Sequence, residues 1–172
     1  MKKIISLLLV LTMCVLSLAS CGGGNGSPEG VVELAMELYE NPSAKTLKKL
    51  LPDEVWEVII DDEDMDEDEF WDEMDENMED AMDEMEDMDG FKFSFEITDV
   101  DDMKKSEVKD LNEELEDYLD DDIDGAAVVT VELTYSFEYD GEEFEEDTEM
   151  EFTVFEYDGS WYIVPDDLGM FM

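Results

Sequence analysis

Val129-Thr130-Val131-Glu132-Leu133-Thr134-Tyr135-Ser136-Phe137-Glu138-Tyr139 alternates apolar and polar residues without a break. Successive side chains of a strand point to opposite faces, so the odd positions share one face and the even ones the other. Asp140-Gly141 follows, a pair that favours a two-residue hairpin turn. Beyond it Met150, Phe152 and Val154 alternate with Glu149, Glu151 and Thr153. Asp158-Gly159 is a second such turn, leading into Trp161-Tyr162-Ile163-Val164, which Pro165 ends. Strands joined by tight turns pair antiparallel. One face of this sheet is wet, and something must cover the other.

Upstream, Phe91, Phe93, Phe95 and Ile97 alternate with Lys92, Ser94, Glu96 and Thr98, which predicts another strand with an aromatic face. Between the two strand regions, Ser106 caps a helix with Val108, Leu111, Leu115 and Tyr118 on one side. Further back, Ser27-Pro28-Glu29 reads as an N-cap, a first-turn proline and a first-turn acid, and Val31, Leu34, Ala35 and Leu38 share one face. Asn41-Pro42 stops this helix. Ser43 caps a short second one, with Ala44, Leu47, Leu50 and Leu51 inward and Lys45, Lys48 and Lys49 outward. Pro52-Asp53-Glu54 starts a third, through Trp56, Ile59 and Ile60.

Residues 61–89 hold 19 acids in 29 positions. Trp71, Met74, Met78, Ala81, Met85 and Met88 recur at intervals of three and four, the stripe of an amphipathic helix. The pattern predicts an acidic loop over 61–68 and a helix over 69–88, ended by Gly90. Like charges at i,i+4 disfavour that helix, so packing of the stripe must hold it. The order is then helix, helix, helix, helix, strand, helix, strand, strand, strand. This predicts an α+β domain over 28–168, with N-terminal helices packed on a curved antiparallel sheet of four strands.

The chain opens with Lys2 and Lys3, then an apolar run over residues 4–18. That run is shorter than the roughly 20 residues a spanning helix needs, and it has the layout of a secretory signal. Leu18-Ala19-Ser20-Cys21 closes it and resembles a bacterial lipobox: two small residues that fit a protease site, then a thiol that takes a diacylglyceryl group. Residues 1–20 are therefore expected to be a lipoprotein signal, Cys21 the lipidated first residue and 21–27 a Gly-rich tether. Tether residues 22–27 would span about 13–15 Å on average. Stable anchoring needs at least two acyl chains. Cys14 would leave with the signal, so no disulfide can form in the remaining chain. The expected location is the extracytoplasmic face of a Gram-positive-type cell membrane.

The whole chain carries 54 acids against nine lysines, for a formal charge of −45, with neither arginine nor histidine. Such a surface excludes nucleic acid as a partner, because phosphate contacts need basic groups. It also argues against electrostatic docking on anionic lipid, and it favours weak, diffuse attraction of divalent cations.

The order of elements and the ending Asp158-Gly159-Ser160-Trp161-Tyr162-Ile163 resemble the cone-shaped domain of the nuclear transport factor two and ketosteroid isomerase superfamily. They look more narrowly like small Firmicute lipoproteins of unknown function built on that domain. A cystatin-like domain shares much of the pattern. The resemblance covers about residues 28–164 and implies a binding cleft on the concave sheet face. Its enzymes use an acid or histidine base, but histidine is absent here and no carboxylate stands out.

Other chemistry is sparse. There is no nucleophile elbow, phosphate loop or Cys/His cluster. Tyr118, Tyr135 and Tyr139 are candidates to line a pocket, or core residues. Asp120, Asp122, Asp124 and Gly125 fit the opening of a calcium loop, but Val131 stands where its bidentate glutamate belongs and Glu132 is one residue late. Asp62, Asp64, Asp66 and Glu73 match in part, with Glu67 in the glycine position. Met82, Met85 and Met88 offer thioethers suited to Cu(I), or simply complete the helix stripe. The reading is a non-catalytic module binding a small molecule, a peptide or an envelope protein. The alternatives are an acidic surface binder of calcium and, third, an isomerase- or hydratase-like enzyme. No cofactor is expected apart from calcium at Asp120, Asp122 and Asp124.

Overall fold

The computed structural model describes residues 25–86, 91–139 and 142–168. Four helices lead: α1 (Pro28–Glu40), α2 (Ala44–Leu47), α3 (Asp53–Asp62) and α4 (Glu67–Glu86). Then come β1 (Lys92–Asp102), α5 (Lys105–Leu115), β2 (Gly125–Tyr139), β3 (Glu142–Tyr157), β4 (Ser160–Ile163) and a last turn of helix, α6 (Pro165–Leu168). The strands form one antiparallel sheet in the order β1-β2-β3-β4, with α5 inserted between β1 and β2. The fold is α+β, as the alternation and the turns predict.

Register puts Ile97, Val131 and Met150 side by side, and likewise Val129 beside Phe152, and Ala127, Val154 and Ile163 together. Ala127, Val129, Val131, Phe152, Val154 and Ile163 on this face are fully buried. Helix α1 supplies the cover. Its Ser27 Oγ accepts the Gly30 N–H at 3.1 Å, the cap the sequence predicts. Besides the expected Val31, Leu34, Ala35 and Leu38, Val32 and Met36 are also inaccessible, so α1 is buried almost all round. It is the central helix, touching all four strands and α2. Each such side chain contributes roughly 1.5–3 kcal/mol by leaving water.

The acidic block is less open than expected. Helix α3 runs on to Asp62, and a short turn with Asp64 at φ 60° links it to α4. Asp66 starts α4: its Oδ1 accepts the Glu69 N–H at 3.1 Å and its carbonyl accepts Phe70 N–H. The 61–68 loop therefore shrinks to a turn. The stripe is also rotated. Phe70 and Met78 are buried, Trp71, Met74 and Met82 half-buried, and Ala81 exposed. Phe70 anchors it because its ring meets Trp56 and Trp71. Met85 and Met88, expected on this stripe, have side chains outside the described residues.

Strand β1 runs four residues past its expected end through a bulge. Ile97 pairs with Val131 and Asp99 with Thr130, leaving Thr98 as the extra residue. Val100 consequently lands opposite Val129, on the covered face. Helix α5 starts before Ser106: Glu107 accepts the Lys104 N–H at 2.8 Å, so Lys104 is the N-cap. At the other edge, β4 donates from Trp161 N–H to the Asn25 carbonyl at 2.6 Å and from Ile163 N–H to the Leu50 carbonyl at 2.9 Å. Those contacts satisfy an edge that would otherwise invite pairing with another chain.

Candidate functional site

The sheet is longer than its helical cover. From the Gly125–Glu156 pair to the Phe137–Phe144 pair, β2 and β3 run twelve residues, about 40 Å of strand. Burial on the concave face fades along that path. Leu133 is buried, Tyr135 and Phe137 are half-buried, and Phe144 is 42% exposed, the one large hydrophobic so exposed among the described residues.

Phe137 and Phe144 sit directly opposite and stack, with centroids 5.4 Å apart and planes 16° from parallel. One step inward Tyr135 faces Glu146, and its hydroxyl donates to that carboxylate. The bond favours the neutral phenol and raises the Tyr135 pKa. Phe93 of β1 faces Tyr135 from the other side and stacks on Tyr39 of α1 at 5.1 Å. Of the exposed carboxylates beside Phe144, Glu146 shares the face of the rings, while Glu145 and Asp147 project from the opposite face of β3. This is an apolar patch on a projecting hairpin whose sequence is very acidic.

Sequence reasoning passed over Phe144, a lone aromatic in an acidic run. The signal was present. Counting outward from Asp140-Gly141 places Phe144 opposite Phe137. Tyr118 is half-buried beside α5, away from this patch, and the Tyr139 side chain lies outside the described residues.

Two clefts flank β4. One, about 740 Å³, is lined by Asn25, Lys48, Lys49, Glu54, Tyr157 and Tyr162 among others. The other, about 500 Å³, includes Lys105, Lys109, Asn112, Glu156 and Trp161. In the first, Tyr157 has its pKa raised, chiefly by burial and then by the charges of Glu54, Asp121 and Asp120. Beside it, Lys48 donates to Glu67 at 2.8 Å and lies 5.1 Å over the Trp71 ring. The bond raises the Lys48 pKa and lowers that of Glu67. Trp71 Nε1 is buried without a hydrogen-bond partner; Glu67 is near enough to feel it but is turned to Lys48.

The calcium candidates do not come together. Among the described residues no three carboxylate, thiol or imidazole groups converge as a metal requires. Asp120, Asp122 and Asp124 are exposed in the loop entering β2. Gly125, which would make the sharp turn of a calcium loop, is instead the first residue of β2, opposite Glu156. The Asp124 backbone N–H donates to the Glu156 carbonyl at 2.7 Å, which extends the pairing into this loop. Glu132 points from the exposed face of β2. In the other match, Asp62 ends α3 while Asp64 and Asp66 lie in the α3–α4 turn, where Asp66 is used as a cap. Cys21, Met85 and Met88 lie outside the residues whose side chains are described.

No described helix is long and apolar enough to cross a membrane. No protein-family model, curated protein or solved structure matches the chain.

Proposed function

We propose that this chain is a lipoprotein, anchored through acylated Cys21 on the extracytoplasmic face of a cell membrane, whose domain binds an envelope protein without catalysis. The observation that carries the binding reading is the Phe137–Phe144 stack. A partly exposed aromatic pair on an acidic hairpin has the composition of a protein-binding centre: an aromatic anchor in polar surroundings. The hairpin's charge selects a partner segment carrying lysine or arginine beside an apolar side chain. The likeness to cone-shaped domains is compatible with this use, since a concave sheet face serves binding in many unrelated proteins.

The test is photo-crosslinking in the producing cell, with a photoreactive phenylalanine analogue replacing Phe144. A discrete adduct that is absent when the analogue replaces exposed Glu114 supports the reading. Equal labelling at both positions, or none at Phe144, overturns it. Anchoring is read separately: Cys21→Ser should move the protein out of the membrane fraction, and the wild type should carry a diacylglyceryl mass on Cys21.

A second reading is favoured by charge alone. With so many carboxylates and so few lysines, the surface concentrates divalent cations diffusely near the membrane.

A further inference from the structure

Seven lysines follow Cys21. Four of them, Lys48, Lys49, Lys105 and Lys109, line the two clefts on either side of β4. Lys45 and Lys104 neighbour them in sequence, and only Lys92 lies elsewhere, opposite Ser136 toward the hairpin end. β4 is also where the chain emerges from the domain. Trp161 N–H donates to the Asn25 carbonyl, and the Asn25 side-chain amide donates to the Lys49 carbonyl. Lys48, Lys104 and Lys109 are engaged by Glu67, Glu107 and Glu113. Lys45, Lys49 and Lys105 are exposed and have no carboxylate partner among the described residues.

Carboxylates still outnumber lysines in these linings, with Asp53, Glu54, Glu57 and Asp158 in the first cleft and Asp102, Asp124 and Glu156 in the second. It is therefore not a positive face. It is the place where an acidic molecule is locally offset. The hairpin end has only Lys92 to set against its acids: seven of the ten residues 142–151 are acidic.

We infer that the domain stands on an anionic phospholipid surface with its β4 end down and its aromatic hairpin tip pointing away. The inference rests on the Cys21 anchor proposed above. From Cys21 to Asn25 there are only four residue steps, at most about 14 Å. The domain is thus held within about a Debye length or two of the headgroups, where the field of anionic lipid still acts. In that field the acid-rich hairpin is driven outward and the free lysines are drawn inward. The sequence alone argued against any electrostatic contact with anionic lipid. The fold changes that by bringing four lysines from two separate segments to the clefts beside Asn25 and β4.

The test uses the acylated protein reconstituted in vesicles of phosphatidylcholine alone, or with about 30% phosphatidylglycerol. Surface amines are labelled briefly and read by mass spectrometry, with Lys92 as the internal standard. Labelling of Lys45, Lys49 and Lys105 relative to Lys92 should slow by roughly fivefold when phosphatidylglycerol is added. About 0.5 M salt should abolish that difference. The same ratios in both lipids overturn the inference, as does equal slowing of Lys92, which would mean a domain lying flat. The triple variant Lys45→Gln, Lys49→Gln, Lys105→Gln should still float with the vesicles but lose the lipid-dependent protection at Lys48 and Lys109. If it keeps that protection, the lysines do not set the orientation and the inference fails. Failure of the anchor looks different: no acyl mass on Cys21 and no flotation in either lipid.

Discussion

Trp56 of α3 meets Trp71 of α4 edge to face, with ring centroids 4.9 Å apart, while its own N–H reaches the Lys48 carbonyl at 3.0 Å. One side chain thus joins α2, α3 and α4. The very acidic α4 depends on it, because its like charges offer the helix nothing on their own. Trp56→Ala should cost about 3–5 kcal/mol in urea unfolding. A loss below about 1 kcal/mol would mean that α4 is held some other way. Trp71→Phe should be close to neutral, since it removes a buried N–H that has no partner.

The Thr98 bulge makes an unusual deletion tolerable. Removing Thr98 leaves Ile97, Asp99 and Val100 opposite Val131, Thr130 and Val129, the pairing they already have. The losses are the local bend and the Thr98 hydroxyl bond to the Thr130 carbonyl at 3.3 Å. Deletion of Thr98 should therefore cost about 1 kcal/mol or less, whereas deletion of Thr130 throws half of β2 to the wrong face and should prevent folding. Circular dichroism and thermal melts of the two deletions decide it. Equal damage from both would contradict the bulge.

Alkaline stability turns on buried phenols. A raised pKa means that the protonated form favours the folded state. For Tyr157 that contribution is complete below about pH 10, the unfolded tyrosine value, and is lost as the pH climbs through the higher folded value. Tyr39, raised by burial, and Tyr135, raised by Glu146, act in the same direction. Urea midpoints should fall as the pH rises above about 10, and less steeply for Tyr157→Phe than for the wild type. Identical slopes would remove Tyr157 from the transition.

Calcium should bind the domain in a shallow, salt-sensitive isotherm. The exposed carboxylates of Asp120, Asp122 and Asp124 form no closed ligand set, so Asp122→Ala and Asp124→Ala should leave calorimetric titrations unchanged. A stoichiometric isotherm abolished by both variants would establish a site there.

The strands were legible because strict alternation has one structural solution. Val129, Val131 and Leu133 announce their face in the sequence and keep it in the fold. Helix α1 was legible as a helix but not as the central one. Val32 and Met36 lie off its apolar stripe, and only contact with all four strands explains their burial. In α4 the acids masked Phe70, whose role depends on the distant Trp56. The bulge at Thr98 is a property of pairing, invisible in either strand alone. The calcium candidates were legible only as spacing along the chain, and spacing does not say that Gly125 begins β2. The lysines were visible one by one, but their gathering around β4 is tertiary.

The hydrogen bond from Trp161 to Asn25 ties nearly the last folded segment to the first. Helix α1 cannot bury its all-round apolar surface until β2, β3 and β4 exist, and β4 has its outer edge completed by residues at the opposite end of the chain. A chain that lacks its last strand therefore lacks the surfaces that would let its beginning settle. The two ends of the domain belong to one cooperative unit, so removal of β4 should unfold α1 along with the sheet.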